Sequence, residues 1–291
     1  MRALITGGAG QLGHDLTELL GQDSAFPFSH AELDIDDDDA VDRAFAEVRP
    51  EIVFNCAAFH NVDECETAVE EAWAVNVLAV RRLAARGVPM VQISTNYVFD
   101  GDRDEPYPED HLPAPRSYYA LTKLAGEHAT LAYGERPLVV RSAGLYGTRG
   151  NASKGGNFVQ RIIAAAEKNG RLAVVADQRL QPTFTVDLAR SLVEAVEAEA
   201  EGVLHLTAAG ECSWFEYTRT IMELAGIDVP LEPTETTVPE GGAARPLNGV
   251  LARPRADSLG LTPLRHWREA LKDYMTQEEL RAGVESNGKR G

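Results

Sequence analysis

Cysteine is scarce in this chain and does not occur in a metal-binding spacing. The sequence contains three cysteines, Cys56, Cys65 and Cys212. An odd number of cysteines without a CxxC pair argues against a disulfide framework and against a zinc site. We therefore expect a protein of a reducing compartment, the cytoplasm, that holds no metal ion.

Positive charge is also under-represented. The chain has 28 Lys and Arg residues against 45 Asp and Glu residues, which gives a formal net charge of −17 at pH 7. Such a field repels nucleic acid and anionic membranes. The sequence also lacks a signal peptide and an apolar run long enough to span a bilayer. We therefore expect neither a nucleic acid nor a membrane as a partner.

The first twenty residues contain a strand, a glycine turn and a helix in that order. "RALIT" has the pattern of a short buried strand, and the leucines that follow "GGAGQ" recur at helical spacing. Between them, Gly7, Gly10 and Gly13 form a GxxGxxG. Such glycines let the backbone approach a pyrophosphate at the positive end of the helix. This order of elements predicts the first unit of a dinucleotide-binding fold.

Strands and helices continue to alternate over residues 1–147. "EIVFNCAA", "PMVQIST" and "LVVRSAGLYG" are typical of buried parallel strands, and "EEAWAVNVLAVRRLAARG" is typical of a helix. This alternation predicts an α/β fold with a doubly wound, Rossmann-type parallel sheet.

Two adjacent tyrosines precede a lysine in "SYYALTK". In a helix, Tyr119 and Lys123 stand on one face, whereas Tyr118 is rotated by about 100° from Tyr119. The helix follows the strand that ends in "QIST", and the carboxyl ends of parallel strands are where ligand sites assemble. Thr95 therefore supplies a second hydroxyl near Tyr119.

Seven motifs carry a resemblance that covers nearly the whole chain. They are "ITGGAGQLG", "NCAAF", "ISTNYVFDG", "YYALTK", "VVRSAGLYG", "DQRLQPT" and "RPLNGVL". In this order they resemble the extended short-chain dehydrogenase/reductases, and most closely the dTDP-4-dehydrorhamnose reductase family.

The resemblance implies an oxidoreductase that reduces a nucleotide-linked 4-keto-6-deoxysugar with NADPH, with NADH as an alternative cofactor. It implies a Rossmann domain at residues 1–147, to which residues 183–207 return. The smaller substrate-binding domain then comprises residues 148–182 and 208–291. The implied partners are the nucleotide sugar and a second copy of the chain in a homodimer.

The resemblance also implies roles for individual residues. The catalytic residues are Thr95, Tyr119 and Lys123, and the ammonium of Lys123 is expected to lower the pKa of Tyr119. The cofactor-binding residues, besides Tyr119 and Lys123, are Gly7, Gly10, Gln11, Leu12, Gly13, Asp34, Ile35, Ala57, Ala58 and Phe59. The residues that face the substrate are Val62, Asn96, Tyr97, Gly144 and Arg245.

Two positions depart from the family pattern. Asn96 stands where the family has Asp, and Gly144 stands where it commonly has Trp. The loss of an indole is expected to enlarge the sugar pocket.

The segment after the second strand bears on the choice between NADPH and NADH. The segment "AFPFSHAELD" has no carboxylate immediately after the second strand, so NADPH is expected to bind at least as well as NADH, with Ser29 or His30 near its 2′-phosphate.

Trp214 is predicted to anchor the C-terminal core.

Alternatives remain open at this stage. The same scaffold serves nucleotide-sugar epimerases and dehydratases, and it also serves non-catalytic NADP-binding regulatory subunits such as the beta subunit of methionine adenosyltransferase. Arg245 suits either a nucleotide diphosphate or a surface salt bridge.

Overall fold

The computed structural model describes residues 1–149 and 156–288, with side chains as far as residue 277. Within these ranges the strands are β1 (Ala3–Thr6), β2 (Ala25–Phe28), β3 (Ile52–Asn55), β4 (Met90–Thr95), β5 (Leu138–Ser142), β6 (Leu145–Tyr146), β7 (Leu172–Val175), β8 (Arg179–Leu180), β9 (Thr183–Phe184), β10 (Gly202–His205), β11 (Cys212–Ser213) and β12 (Leu231–Thr234).

The α-helices of the same ranges alternate with these strands. They are α1 (Gln11–Leu20), α2 (Asp38–Val48), α3 (Val69–Trp73), α4 (Val80–Ala84), α5 (Tyr118–Tyr133), α6 (Phe158–Asn169), α7 (Thr185–Glu197), α8 (Trp214–Ala225), α9 (Pro254–Ser258) and α10 (Trp267–Gly288). Short 3₁₀ turns lie at Glu64–Glu66 and Asn96–Val98.

The central element is a six-stranded sheet with the order β10-β5-β4-β3-β1-β2. All of its neighbouring strands are parallel. The chain builds outward from β1 in two directions, so the sheet reverses its order between β1 and β3. A crevice forms at such a switch point, outside the carboxyl ends of the strands. The predicted doubly wound α/β fold is confirmed.

Each face of the sheet is covered by helices. On one face, residues such as Ile5, Leu16 and Leu192 form a core with α1 and α7. On the other face, Leu4 and Leu83 belong to a second core, with α2 and α4. Side chains alternate across a strand, which explains why Leu4 and Ile5 of β1 enter different cores.

A third core lies outside the main sheet. Aromatic side chains of β6, β9, α8 and α10 form it, among them Tyr146, Phe184, Tyr217 and Trp267. Three two-stranded sheets, β11-β8, β12-β7 and β6-β9, surround this core. This part of the chain closes over the carboxyl edge of the main sheet. No helix of the described residues is long and apolar enough to cross a membrane.

The long helix predicted at residues 70–87 is interrupted. Residues Ala74–Ala79 form a π-helical turn between α3 and α4. The carbonyl of Asn76 lies against α5, where a Cβ at Gly126 would be 2.4 Å from its oxygen. The glycine therefore permits close approach of the two helices. The buried Asn76 side chain contacts the loop that follows β3, as described below.

Candidate active site

A cavity of about 1090 Å³ lies over the carboxyl ends of β1, β3 and β4. It extends toward the C-terminal elements as far as Trp214 and Arg245. Every residue predicted to act in cofactor binding, catalysis or substrate binding lines it: Gly7, Gly10, Gln11, Leu12, Gly13, Asp34, Ile35, Ala57, Ala58, Phe59, Val62, Thr95, Asn96, Tyr97, Tyr119, Lys123, Gly144 and Arg245.

The glycine turn between β1 and α1 leaves no room for side chains. Gly7 has a φ of +65°, and a Cβ there would be 2.9 Å from the backbone nitrogen of Ala57. A Cβ at Gly13 would be 2.4 Å from the carbonyl oxygen of Gly7. Gly10 occupies the N-cap of α1 and adds no side chain to the helix end. The exposed backbone at a helix N-terminus suits the pyrophosphate of a dinucleotide.

The loop after β3 forms the next wall of the cavity and is held by Asn76. The amide of Asn76 accepts a hydrogen bond from the Phe59 nitrogen at 2.9 Å and donates to the Phe59 oxygen at 3.0 Å. It also donates to Thr122 Oγ1 on α5 at 3.0 Å. One buried side chain therefore fixes the cofactor-lining loop against the helix of Tyr119. No motif of the sequence indicated Asn76.

Helix α5 begins where the sequence predicted. Ser117 caps it by accepting a hydrogen bond from the Ala120 nitrogen, so Tyr119 and Lys123 lie on one face. Thr95 ends β4 and caps the following 3₁₀ turn by accepting from the Tyr97 nitrogen at 3.2 Å. The Thr95 hydroxyl is near enough to Tyr119 to lower the pKa of its phenol. The two predicted catalytic side chains are thus neighbours in the cavity.

Tyr119 retains its proton in neutral solution. Burial raises the pKa of Tyr119, nearby Tyr97 and Cys65 raise it further, and the hydrogen bond with Thr95 opposes them. The expectation that Lys123 lowers the pKa of Tyr119 is therefore wrong. The Lys123 ammonium instead donates to the Ile93 carbonyl oxygen at 2.7 Å. A protonated phenol at this position is a proton donor rather than a base.

Lys123 is buried and its charge is easily lost. Burial lowers the pKa of Lys123 to about 8, while the negative charge of Glu127 and the neighbouring Cys56 act in the opposite direction. The lysine is therefore mainly protonated at neutral pH, and its charge decreases as the pH rises through that value.

Asn96 has a structural reason to be an amide. Its Nδ2 donates to the Gly249 carbonyl oxygen at 2.9 Å, and its Oδ1 accepts from Thr95 Oγ1 at 3.3 Å. An ionised aspartate could not donate to that carbonyl. Asn96 therefore ties the end of β4 to a loop that lies far along the chain.

Gly144 lines the cavity, but its missing side chain is directed toward neighbouring protein atoms. A Cβ at Gly144 would be 3.0 Å from Leu180 Cδ1 and 3.2 Å from Pro182 Cα. The residue also has a φ of +55°, which side chains rarely adopt. Backbone geometry thus gives a reason for glycine that is separate from the predicted enlargement of the sugar pocket.

We expect Gly144→Ala to lower the free energy of unfolding by about 1–2 kcal/mol because of its left-handed backbone. Thermal unfolding measured by circular dichroism checks this value. Gly170→Ala is the matched control, since Gly170 has a similar φ of +64° but open space around its Cβ position. A loss no larger at Gly144 than at Gly170 would show that Leu180 and Pro182 yield without cost.

Arg245 lines the cavity and is held by a salt bridge. Its Nη2 atom pairs with Asp63 Oδ2 at 2.7 Å, and its Nη1 atom donates to the Ala243 oxygen at 3.0 Å. Burial lowers the pKa of Arg245, but Asp63 and Tyr97 act against it, so that the net shift is upward. Of the two alternatives left open by the sequence, the structure contains the salt bridge.

The end of the cavity that the C-terminal elements form is aromatic, and no motif of the sequence predicted an aromatic surface there. Trp214 is half-buried, packs against the third core and also lines the cavity. Its Nε1 donates to Gln178 Oε1 at 3.2 Å, and its ring lies 4.3 Å from that of Phe158. An adjoining cavity of about 440 Å³ shares these three residues. Trp214 therefore packs against the core, as predicted, and also faces the cavity.

The segment after β2 separates the two residues predicted near a 2′-phosphate. His30 lines the cavity, whereas the Ser29 hydroxyl donates to Glu32 Oε2 at 2.7 Å. Among the residues that the structure describes, no group of three or more His, Cys, Asp or Glu side chains could hold a metal ion.

Curated relatives align with nearly the whole chain. A dTDP-4-dehydrorhamnose reductase of Streptomyces griseus is 40% identical in an alignment that covers 97% of this chain and 95% of the relative. A dTDP-4-keto-6-deoxy-D-glucose reductase of Streptomyces niveus is 38% identical over 278 residues, with 93% and 95% covered.

A solved structure matches the fold over nearly the same length. The dTDP-4-dehydrorhamnose reductase of Bacillus anthracis in complex with NADP superposes with a TM-score of 0.89 at 34% identity, covering 95% of this chain and 99% of that one. The family described as RmlD substrate binding domain matches residues 1–280. The chain therefore belongs to the RmlD substrate binding domain family.

Proposed function

We propose that the chain is an NADPH-dependent ketoreductase that acts on a dTDP-linked 4-keto-6-deoxyhexose. The observation that carries this proposal is the convergence of Thr95, Tyr119 and Lys123 beside the glycine turn of α1 in one cavity. Relatives whose names specify this reaction class align over nearly the whole chain.

The residues divide the reaction between them. The bound dinucleotide supplies the hydride that reduces the C4 carbonyl carbon. Thr95 and Tyr119 orient the carbonyl oxygen through their hydroxyls, and Tyr119 transfers its proton to that oxygen as the alcohol forms. Lys123 would hold the nicotinamide ribose through its ammonium, and solvent would return the proton to Tyr119 after the transfer.

We assign the nucleotide part of the substrate to the end of the cavity that Arg245 lines. Arg245 is half-buried there, and its planar guanidinium suits the oxygens of a diphosphate. Its present partner, Asp63, is exposed and can be released to solvent. Trp214 and Phe158 offer aromatic surface beyond Arg245 for the apolar faces of the ligand.

We expect NADPH to be bound at least as well as NADH. No carboxylate at positions 29–31 is placed to accept the ribose hydroxyl and repel a 2′-phosphate. His30→Ala is expected to raise the Kd for NADPH several-fold, by roughly 1 kcal/mol for one lost hydrogen bond, and to leave NADH nearly unchanged. Ser29→Ala is the matched control, since Glu32 holds the Ser29 hydroxyl. A strong preference for NADH in fluorescence titrations would contradict this.

The proposed domains follow from these assignments. Residues 1–147 with 183–207 bind the cofactor, and residues 148–182 and 208–291 bind mainly the sugar nucleotide. We also propose that the chain acts in the cytoplasm, as its free thiols indicate, and that it forms a homodimer. Light scattering coupled to size-exclusion chromatography measures the oligomeric state directly.

A substrate screen tests the proposed function. Purified protein is given NADPH with dTDP-, UDP- and GDP-linked 4-keto-6-deoxyhexoses, and the fall in NADPH absorbance is followed. We expect oxidation with the dTDP-linked ketone. Turnover of a nucleotide sugar without net consumption of NADPH would indicate an epimerase or dehydratase, and binding of NADPH without any turnover would indicate a regulatory subunit.

A further inference from the structure

A buried ion pair lies behind the catalytic lysine, outside the cavity lining. Glu127 on α5 is 1% exposed and Arg141 on β5 is 3% exposed. Arg141 Nη2 donates to Glu127 Oε2 at 2.7 Å, and Arg141 Nε donates to Oε1 at 2.9 Å. Such a two-point pair fixes the carboxylate in both position and orientation.

The carboxylate of Glu127 also reaches the strand that ends at Thr95. Ser94 Oγ donates to Glu127 Oε1, and Ser94 lies between Ile93, whose carbonyl accepts from Lys123, and Thr95. Glu127 is one helical turn after Lys123, on the same face of α5. One side chain therefore connects the helix of the lysine to the end of β4.

Charged and titratable groups face Lys123 from each element around it. Tyr119 and Glu127 approach on α5, and Cys56 approaches from the end of β3. Burial raises the pKa of the Cys56 thiol to about 12, so this group is neutral in the physiological range. Arg141 on β5 faces Lys123 only through Glu127. Glu127 is thus the carboxylate one helical turn from Lys123, paired with Arg141 and near enough to raise the pKa of the lysine.

We propose that Glu127 is a positioning residue of the active site. Its carboxylate, anchored by Arg141, keeps the Lys123 ammonium charged and holds the Ser94–Thr95 end of β4 against α5. The proposal rests on the proposed function to the extent that Lys123 must be charged to hold the cofactor. The Glu127–Arg141 pair thereby contributes to cofactor binding as well as to the stability of the fold.

Glu127→Gln tests this proposal through NADPH binding, which requires no sugar substrate. NADPH binding is expected to weaken at high pH as Lys123 loses its proton, which gives the binding profile an alkaline limb. Loss of the negative charge is expected to move this limb to lower pH by about one unit. A lysine that titrates near pH 7 instead of 8 weakens binding about fivefold at pH 8 and by less than about twofold at pH 6. Fluorescence titration at a series of pH values measures both.

Control variants separate the charge of Glu127 from its contribution to folding. Glu127→Asp retains the carboxylate and should restore the alkaline limb. Asp187→Asn, which removes the acid of the Arg265 pair away from the cavity, should leave the pH profile unchanged. If Glu127→Gln does not fold, the double variant with Arg141→Met leaves no unpaired buried charge, and its alkaline limb should shift in the same direction by a smaller amount because the positive charge of Arg141 is removed as well.

Two outcomes would overturn the proposal. One is a loss of NADPH affinity that is equal at pH 6 and pH 8, which is what a purely structural pair would give. The other is an unshifted alkaline limb. A wild-type protein that binds NADPH with the expected pH profile but turns over no keto sugar would contradict the proposed function and leave this inference standing.

Discussion

Tyr119→Phe is expected to slow ketone reduction by about 10²- to 10⁴-fold, the usual size of a general-acid contribution. The variant keeps the aromatic ring, which packs edge-to-face against Tyr97 at 6.1 Å, and removes only the phenolic hydroxyl. The Kd for NADPH should therefore change little. Single-turnover kinetics with saturating cofactor measure the chemical step directly.

Tyr118→Phe is the matched control for this experiment. Tyr118 is bound through its backbone nitrogen to Glu66 and does not line the cavity, so its hydroxyl should affect the rate by less than about tenfold. If Tyr118→Phe is inactive and Tyr119→Phe is active, Tyr118 is the proton donor and the assignment to Tyr119 is wrong. Equal effects of the two substitutions would exclude a specific proton donor at residue 119.

Gly13→Ala is expected to raise the Kd for NADPH by at least about tenfold, which corresponds to about 1.4 kcal/mol. Its Cβ would lie 2.4 Å from the Gly7 oxygen and 2.8 Å from the Gly8 Cα, and both are backbone atoms that can yield only by moving the turn away from α1. We also expect a loss of about 1–3 kcal/mol in the free energy of unfolding from this overpacking. Cofactor titration and chemical denaturation measure the two effects.

Gly10→Ala provides a graded comparison within the same turn. Its Cβ would lie 3.1 Å from the Gly7 oxygen, a tight contact that a small adjustment relieves. The effect on NADPH binding should therefore be clearly smaller than at Gly13. The reverse order would mean that access of the phosphate to the helix end, rather than helix packing, limits binding.

The sequence predicted those parts of the site that depend on local spacing. The four-residue separation of Tyr119 and Lys123 places both on one face of any helix, and the Ser117 cap fixes where that helix begins. The glycine turn is equally local, since Gly7, Gly10 and Gly13 lie between one strand and the next helix. Short-range geometry therefore accounted for the positions of the catalytic pair and the pyrophosphate turn.

Features that join distant segments were not predictable in this way. Asn76 lies in a π-helical turn and reaches Phe59 and Thr122, which are 17 and 46 residues away in the chain. The pairing of Arg245 with Asp63 depends on how the two parts of the chain meet. The raised pKa of Tyr119 likewise follows from burial, which spacing does not reveal.

The edge strand β10 has a consequence for folding during synthesis. The proposed catalytic residues Thr95, Tyr119 and Lys123 leave the ribosome early, yet β5 pairs with β10, where Leu138 lies opposite Gly202. Until residue 205 has emerged, the buried strand β5 is the edge of the nascent sheet and can pair with other strands. The hydrogen bond from the Asn96 amide to the Gly249 carbonyl forms later still. We therefore expect a chain that ends before β10 to contain all three residues and yet to be prone to aggregation.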